Sequence, residues 1–202
     1  MKLYLSSYKI GQAGDKLKSM APHGKIGYIA NALDFAGADP ERRERHIERD
    51  VDELRALGLE TEVINLQDFF GKQTALEEKV NNLGAVFVSG GNAFVLRQAF
   101  SLSGFDKLLL LLKDRDFLYA GYSAGGCVLA PTLKPYEPVD KPEAAYGSSN
   151  IIWEGLGLLD FIFIPHWESD HRESEEMRKV VEFCKKNSLA YKTVRDGEVL
   201  II

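Results

Sequence analysis

Apolar residues gather in short unbroken runs along much of the chain: KLYLS from Lys2, KIGYIA from Lys25, TEVINL from Thr61, AVFVSG from Ala85 and FLYAGY from Phe117. Runs that do not alternate with polar residues suit strands buried on both faces, the condition of a parallel sheet covered by helices. Helical patterns lie between them. The clearest starts at Pro40, where Asp39 can cap the helix and proline takes its first position. Ile47, Val51, Leu54 and Leu57 then share one face, and Gly58 ends the run. Further helices are expected over 75–82, 93–100 and 108–113, directly after Ser123, and from Glu173 to Lys186. Strands alternating with helices predict an α/β fold, doubly wound, with a mostly parallel sheet and helices on both faces.

Three later stretches read differently. Residues 131–151 carry four of the seven prolines and are too polar for a core element. A connection of that length is more often functional or mobile than accidental. After it, LLDFIFIPH reads as an apolar strand ending at His166, and AYKTVRDGEVLII as two strands around an Asp196-Gly197 hairpin turn.

Composition narrows the function. At 202 residues, 45% hydrophobic and 27% charged, the chain suits one globular domain over 1–202. A net charge of -5 offers no attraction for phosphate backbones or anionic lipid, so nucleic-acid and membrane partners are not expected. No apolar stretch reaches the length of a signal-peptide core or a membrane span, which points to the cytoplasm. Cys127 and Cys184 lack metal-binding or disulfide spacing and read as packed apolar side chains. Neither a metal nor an organic cofactor is called for, and the chain is expected as a monomer or homodimer.

Candidate chemistry centres on AGYSAGG, Ala120 to Gly126. Ser123 follows a predicted buried strand and precedes a small-residue run suited to a tightly packed helix, the setting of a nucleophile elbow. Of four histidines, His46 lies on a charged helix face among arginines and reads as solvated, and His23 reads as a loop residue. His166 is favoured as the base because it follows a strand, where open α/β sheets place their chemistry. His171 is its competitor. Asp196 or Glu198, beside the last turn, can orient that base. An oxyanion hole would combine the Ala124 N–H with a donor from VSGGNAF, in which Asn92 caps a helix.

The segments SGGNAFVL, AGYSAGG and IPHWE, in this order, together with LYLSSY and RDGEVLII, resemble the peptidase E family of serine peptidases, the group of dipeptidase E and cyanophycinase. The resemblance implies a fold like that of class I glutamine amidotransferases. It implies Ser123 as nucleophile, His166 as base, Asp196 as the acidic member and Gly91 with Ala124 as the oxyanion hole. The substrate would be a small peptide, with Asn92 and Arg172 in its binding site and Arg172 able to pair with an N-terminal aspartate. Two other readings stand beside it. An α/β-hydrolase-type esterase places the acid before the histidine, the reverse of the order here. A catalytically silent binding domain on the same fold would lack an activated serine.

Overall fold

A computed structural model of the chain describes residues 1–148 and 150–202. In chain order the elements are β1 (Lys2–Ser6), α1 (Gly14–Met20), β2 (Lys25–Ile29), α2 (Pro40–Ala56), β3 (Glu60–Ile64), α3 (Gln73–Leu83), β4 (Ala85–Val88), α4 (Ala93–Ser103), α5 (Phe105–Leu112), β5 (Leu118–Tyr122), α6 (Ala124–Cys127), β6 (Ile162–Ile164), α7 (Ser174–Lys186), β7 (Tyr191–Thr193) and β8 (Val199–Ile201). Six strands form the main sheet in the order β3-β2-β4-β5-β1-β8, all parallel except β8, which runs antiparallel to β1. This is the doubly wound α/β fold that the alternation predicts.

The period of two along each strand divides the core. Tyr4, Tyr28, Phe87, Ala120 and Tyr122 pack toward α1 and α2, where Leu17, Val51 and Leu54 meet them. Leu5, Ile29, Val86, Val88 and Tyr119 face the other layer, built from α3 to α7 with Phe100, Phe105 and Val180. Asp39 caps α2 by accepting from the Glu41 and Arg42 N–H groups, with Pro40 in the first turn as its sequence requires.

From β2 the chain winds outward to β3, and from β4 it winds the other way to β5. The winding therefore reverses between β2 and β4, and a crevice at the carboxyl ends of neighbouring strands is where such sheets take ligands.

Several expectations are corrected. TEVINL becomes an edge strand rather than a buried one, and Val63 is 47% exposed. The last two strands are no hairpin: β7 pairs in parallel with β6 in a separate two-stranded sheet, while β8 joins β1. Asp196 and Gly197 still form a turn, closed by the Glu198 N–H on the Arg195 carbonyl, but that turn connects two sheets. The helix after Ser123 is a single turn. Within the proline-rich segment Leu133, Pro135 and Tyr136 are buried, so it contributes to the core despite its polarity. Both cysteines are buried, as expected.

Candidate active site

β5 delivers Ser123 to the mouth of the crevice in a conformation few non-glycine residues adopt, with φ 47° and ψ -116°. Glycine makes the turn possible. A Cβ at Gly125 would lie 2.4 Å from the Val88 carbonyl oxygen, and one at Gly90 would lie 3.1 Å from the Ser123 Cβ. The Ser123 carbonyl accepts from the Gly126 and Cys127 N–H groups, which closes the turn of α6. Among the described residues the N–H groups of Gly91 and Ala124 have no hydrogen-bond acceptor. Gly91 has φ 140°, and a Cβ there would lie 2.3 Å from the Ala32 carbonyl oxygen, so only glycine fits.

His166 stands two residues beyond β6, buried at 1% exposure. Its Nε2 lies 3.1 Å from the Ser123 Oγ and its Nδ1 lies 2.7 Å from Asp196 Oδ1. With the Nδ1–H donated to the carboxylate, the Nε2 lone pair is left to accept the Ser123 hydroxyl. Burial draws the imidazole pKa below its ordinary value and the neighbouring His171 adds to this, against the opposing pull of Asp196. The turn N–H of Asp196 is held by the Ser169 hydroxyl at 2.8 Å. Glu198 is exposed and accepts from the Arg195 N–H at 2.8 Å, away from the imidazole. The sequence leaves the choice between Asp196 and Glu198 open, and it is Asp196 that meets the histidine.

Ser7, which the motif reading missed, ties the two together. Its hydroxyl donates to Asp196 Oδ1 at 2.6 Å and accepts the His166 backbone N–H at 2.7 Å. A signal existed: Ser7 follows the carboxyl end of β1, the same position relative to a strand that singled out His166.

A cavity of about 460 Å³ opens over Ser123 and His166, lined also by Tyr8, Arg42, His46, Asp140, Lys141 and His171. The His171 ring stacks on His166, centroids 3.6 Å apart and nearly parallel, and its Nδ1 accepts from the Glu173 N–H. Arg172 lines the cavity but is exposed and forked onto the carboxylate of Glu173. Asn92 also reaches the lining, yet its side chain is committed. The oxygen caps α4 through the Phe94 and Val95 N–H groups, and the amide nitrogen donates to the Lys141 carbonyl. Asp140 accepts from the Ala93 N–H at 2.8 Å, and burial pushes its carboxyl up to about 7.

His166, His171 and Glu173 bring donor atoms within 4.8 Å of one another. Both ring nitrogens of His166 are already engaged, so a metal ion there would have to displace Ser123.

His46 is not a solvated surface residue. Its Nε2 lies 2.5 Å from the Tyr122 hydroxyl and 3.3 Å from Asp50 Oδ2. Asp50, 3% exposed, accepts from the Tyr28 and Tyr122 hydroxyls at 2.8 and 2.6 Å and from Arg49 at 2.7 Å. Burial works to raise its pKa, but the bonds from His46, Tyr122 and Arg49 prevail and hold it at about 2. The sequence hid this group because Asp50 sits in a run of charged residues that reads as an outer helix face.

Comparison with known proteins places the chain among peptidases. The chain is 28% identical over 145 residues to an uncharacterised peptidase of Listeria monocytogenes, covering 71% of this chain and 68% of that one. It is 29% identical to peptidase E of Streptomyces coelicolor and 32% identical to a probable alpha-aspartyl dipeptidase of Drosophila melanogaster. Each of these two matches covers 60% of this chain and 50% of the relative, so the matched stretch is about half their length. The fold matches a crystal structure from L. monocytogenes, assigned there as a candidate peptidase E, with a TM-score of 0.74 at 21% identity over 100% of this chain and 97% of that one. Among the described residues no helix is long and apolar enough to cross a membrane. The model of peptidase family S51 matches residues 32–202, and the chain belongs to that family.

Proposed function

We propose that the chain is a dipeptidase-type serine exopeptidase that cleaves short peptides through an acyl-enzyme. The observation that carries this reading is the unbroken order hydroxyl, imidazole, carboxylate from Ser123 through His166 to Asp196, with the hydroxyl on a strained turn. Ser123 attacks the peptide carbonyl while His166 takes its proton at Nε2 and Asp196 stabilises the imidazolium. The Gly91 and Ala124 N–H groups receive the developing oxyanion. His166 then protonates the leaving amine, and water, activated by the same nitrogen, releases the acyl group.

The relatives named peptidase E and alpha-aspartyl dipeptidase favour a peptide with an acidic N-terminal residue. Arg172 is the residue on which that preference would rest, and it must exchange Glu173 for the substrate carboxylate. Asp140 and Glu173 offer carboxyl groups to a free α-ammonium, which would confine cleavage to the N-terminal residue.

A fluorophosphonate probe and a dipeptide panel varied at the N-terminal residue test the reading. Labelling of Ser123 with release of the N-terminal residue is expected. An unlabelled, folded protein that hydrolyses no peptide would leave only a binding domain on this fold.

A further inference from the structure

α2 carries five arginines, and their partners set one of them apart. Among the described residues Arg43, Arg45, Arg49 and Arg55 face the carboxylates of Asp34, Glu41, Asp50 and Asp52, whereas Arg42 faces none. Arg42 is also the one that lines the catalytic cavity without a carboxylate against it. One helical turn on, at i+4, His46 lines the same cavity.

The hydrogen-bond order fixes His46. Tyr122 has a single hydroxyl proton and gives it to the ionised Asp50, so in the contact with His46 the phenolic oxygen accepts and Nε2–H donates. Nδ1 is left without a partner among the described residues and is not sealed off by protein. Nδ1 is thus the edge on which His46 can share a proton with a ligand carboxyl group, one helical turn from Arg42 and with the Asp50 carboxylate behind Nε2. Of the other charged groups lining the cavity, Asp39 is spent capping α2, Arg43 is paired with Asp34, Asp140 and Lys141 come from the proline-rich segment, and Arg172 and Glu173 pair with each other on the approach to α7.

We propose that Arg42 and His46 form a carboxylate-binding subsite of the catalytic cavity, in which Asp50 and Tyr122 act as positioning residues for His46. The inference rests on the peptidase reading for the identity of its ligand, a peptide. The carboxylate can be the peptide's C-terminus or an acidic side chain.

Titration calorimetry on the Ser123→Ala protein, which binds without turnover, separates these. One arm compares Ala-Ala with Ala-Ala amide; the other compares Asp-Ala amide with Ala-Ala amide. In at least one arm the peptide bearing the extra carboxylate is expected to bind roughly 10–100-fold more tightly, the range of a charge-assisted pair. Adding Arg42→Gln should reduce that preference to within about threefold, and adding His46→Ala or Tyr122→Phe should reduce it by a smaller factor. The arm that collapses identifies the carboxylate. No preference in either arm, or no arm that collapses on Arg42→Gln in a protein with unchanged near-ultraviolet dichroism, overturns the subsite; a preference for Asp-Ala amide that alone survives belongs to Arg172. Failure of the peptidase reading is seen separately, as wild-type protein that neither reacts with fluorophosphonate nor cleaves these peptides.

Discussion

Two buried clusters flank the end of β5, and each joins a hydroxyl, an imidazole and a carboxylate. In one, His166 stands between Ser123 and Asp196, using a different ring nitrogen for each. In the other, the Tyr122 hydroxyl stands between His46 and Asp50, and the imidazole meets both through the single atom Nε2. The order decides the chemistry. Ser123 has a bare nitrogen to receive its proton, and a carboxylate behind that nitrogen to stabilise the charge. Tyr122 has already given its proton to a carboxylate held at about 2, and burial drives its own pKa far up, so its oxygen is fixed rather than reactive. Neighbouring residues of one strand end thus present one hydroxyl poised to lose a proton and one locked against losing it.

Removing each hydroxyl should give the largest separation. Ser123→Ala should lower kcat/KM by about 10⁴–10⁶ without unfolding the protein, and Tyr122→Phe should stay within about tenfold. Comparable losses in both, measured on one peptide, would dissolve the distinction.

The carboxylates should separate along another axis. Asp196→Asn presents an amide that favours the wrong tautomer of His166, so activity should fall by about 10²–10⁴ while the melting temperature moves by less than about 3 °C. Glu198→Gln should remain within a few-fold. Asp50→Asn should do the reverse of Asp196→Asn, costing about 2–3 kcal/mol of stability by leaving buried partners poorly matched, with kcat/KM of the folded protein within about tenfold. Urea unfolding and initial rates on the same preparations decide it.

Acid should also act on the clusters in turn. His166 must be neutral to serve as base, and its lowered pKa sets the acid limb of kcat/KM below the ordinary histidine value of about 6.5. Asp50 has a folded pKa of about 2, below its unfolded value, so its contribution to stability is complete above that unfolded value of about 3.9 and is lost progressively from there as pH falls through 2. Between the two lies a range in which the protein should be folded and reversibly inactive. Loss of native circular dichroism together with activity would contradict this ordering.

Among the residues that touch the His166 pair, the smallest loss is expected at Ser7. Ser7→Ala removes the hydroxyl that spans Asp196 and the His166 backbone, and kcat should drop by about 3–30-fold with KM nearly unchanged. Equal changes in both constants would make Ser7 a packing residue.

The sequence makes one cluster legible and conceals the other for physical reasons. Ser123 and His166 announce themselves because glycine spacing and strand ends are local features. Asp196 is harder, since its turn reads as a hairpin when its flanking strands in fact belong to different sheets. Ser7 meets Asp196 across 189 residues, and Asp50 meets the Tyr122 hydroxyl across 72. No window of sequence contains such a pair. Likewise the edge position of β3 follows from strand order, which apolar runs do not encode.

Asp196 lies thirty residues after His166 and hangs between β7 and β8, and β8 is aligned by pairing with β1 near the other end of the fold. Synthesis proceeds from the amino terminus, so the growing chain carries its serine and imidazole well before the carboxylate exists. The constellation of Ser123, His166 and Asp196 is therefore incomplete for as long as the chain is tethered to the ribosome upstream of that residue. Closing the main sheet and setting the carboxylate against the imidazole are thus a single event, because the strand that follows the Asp196 turn is the one that pairs with β1.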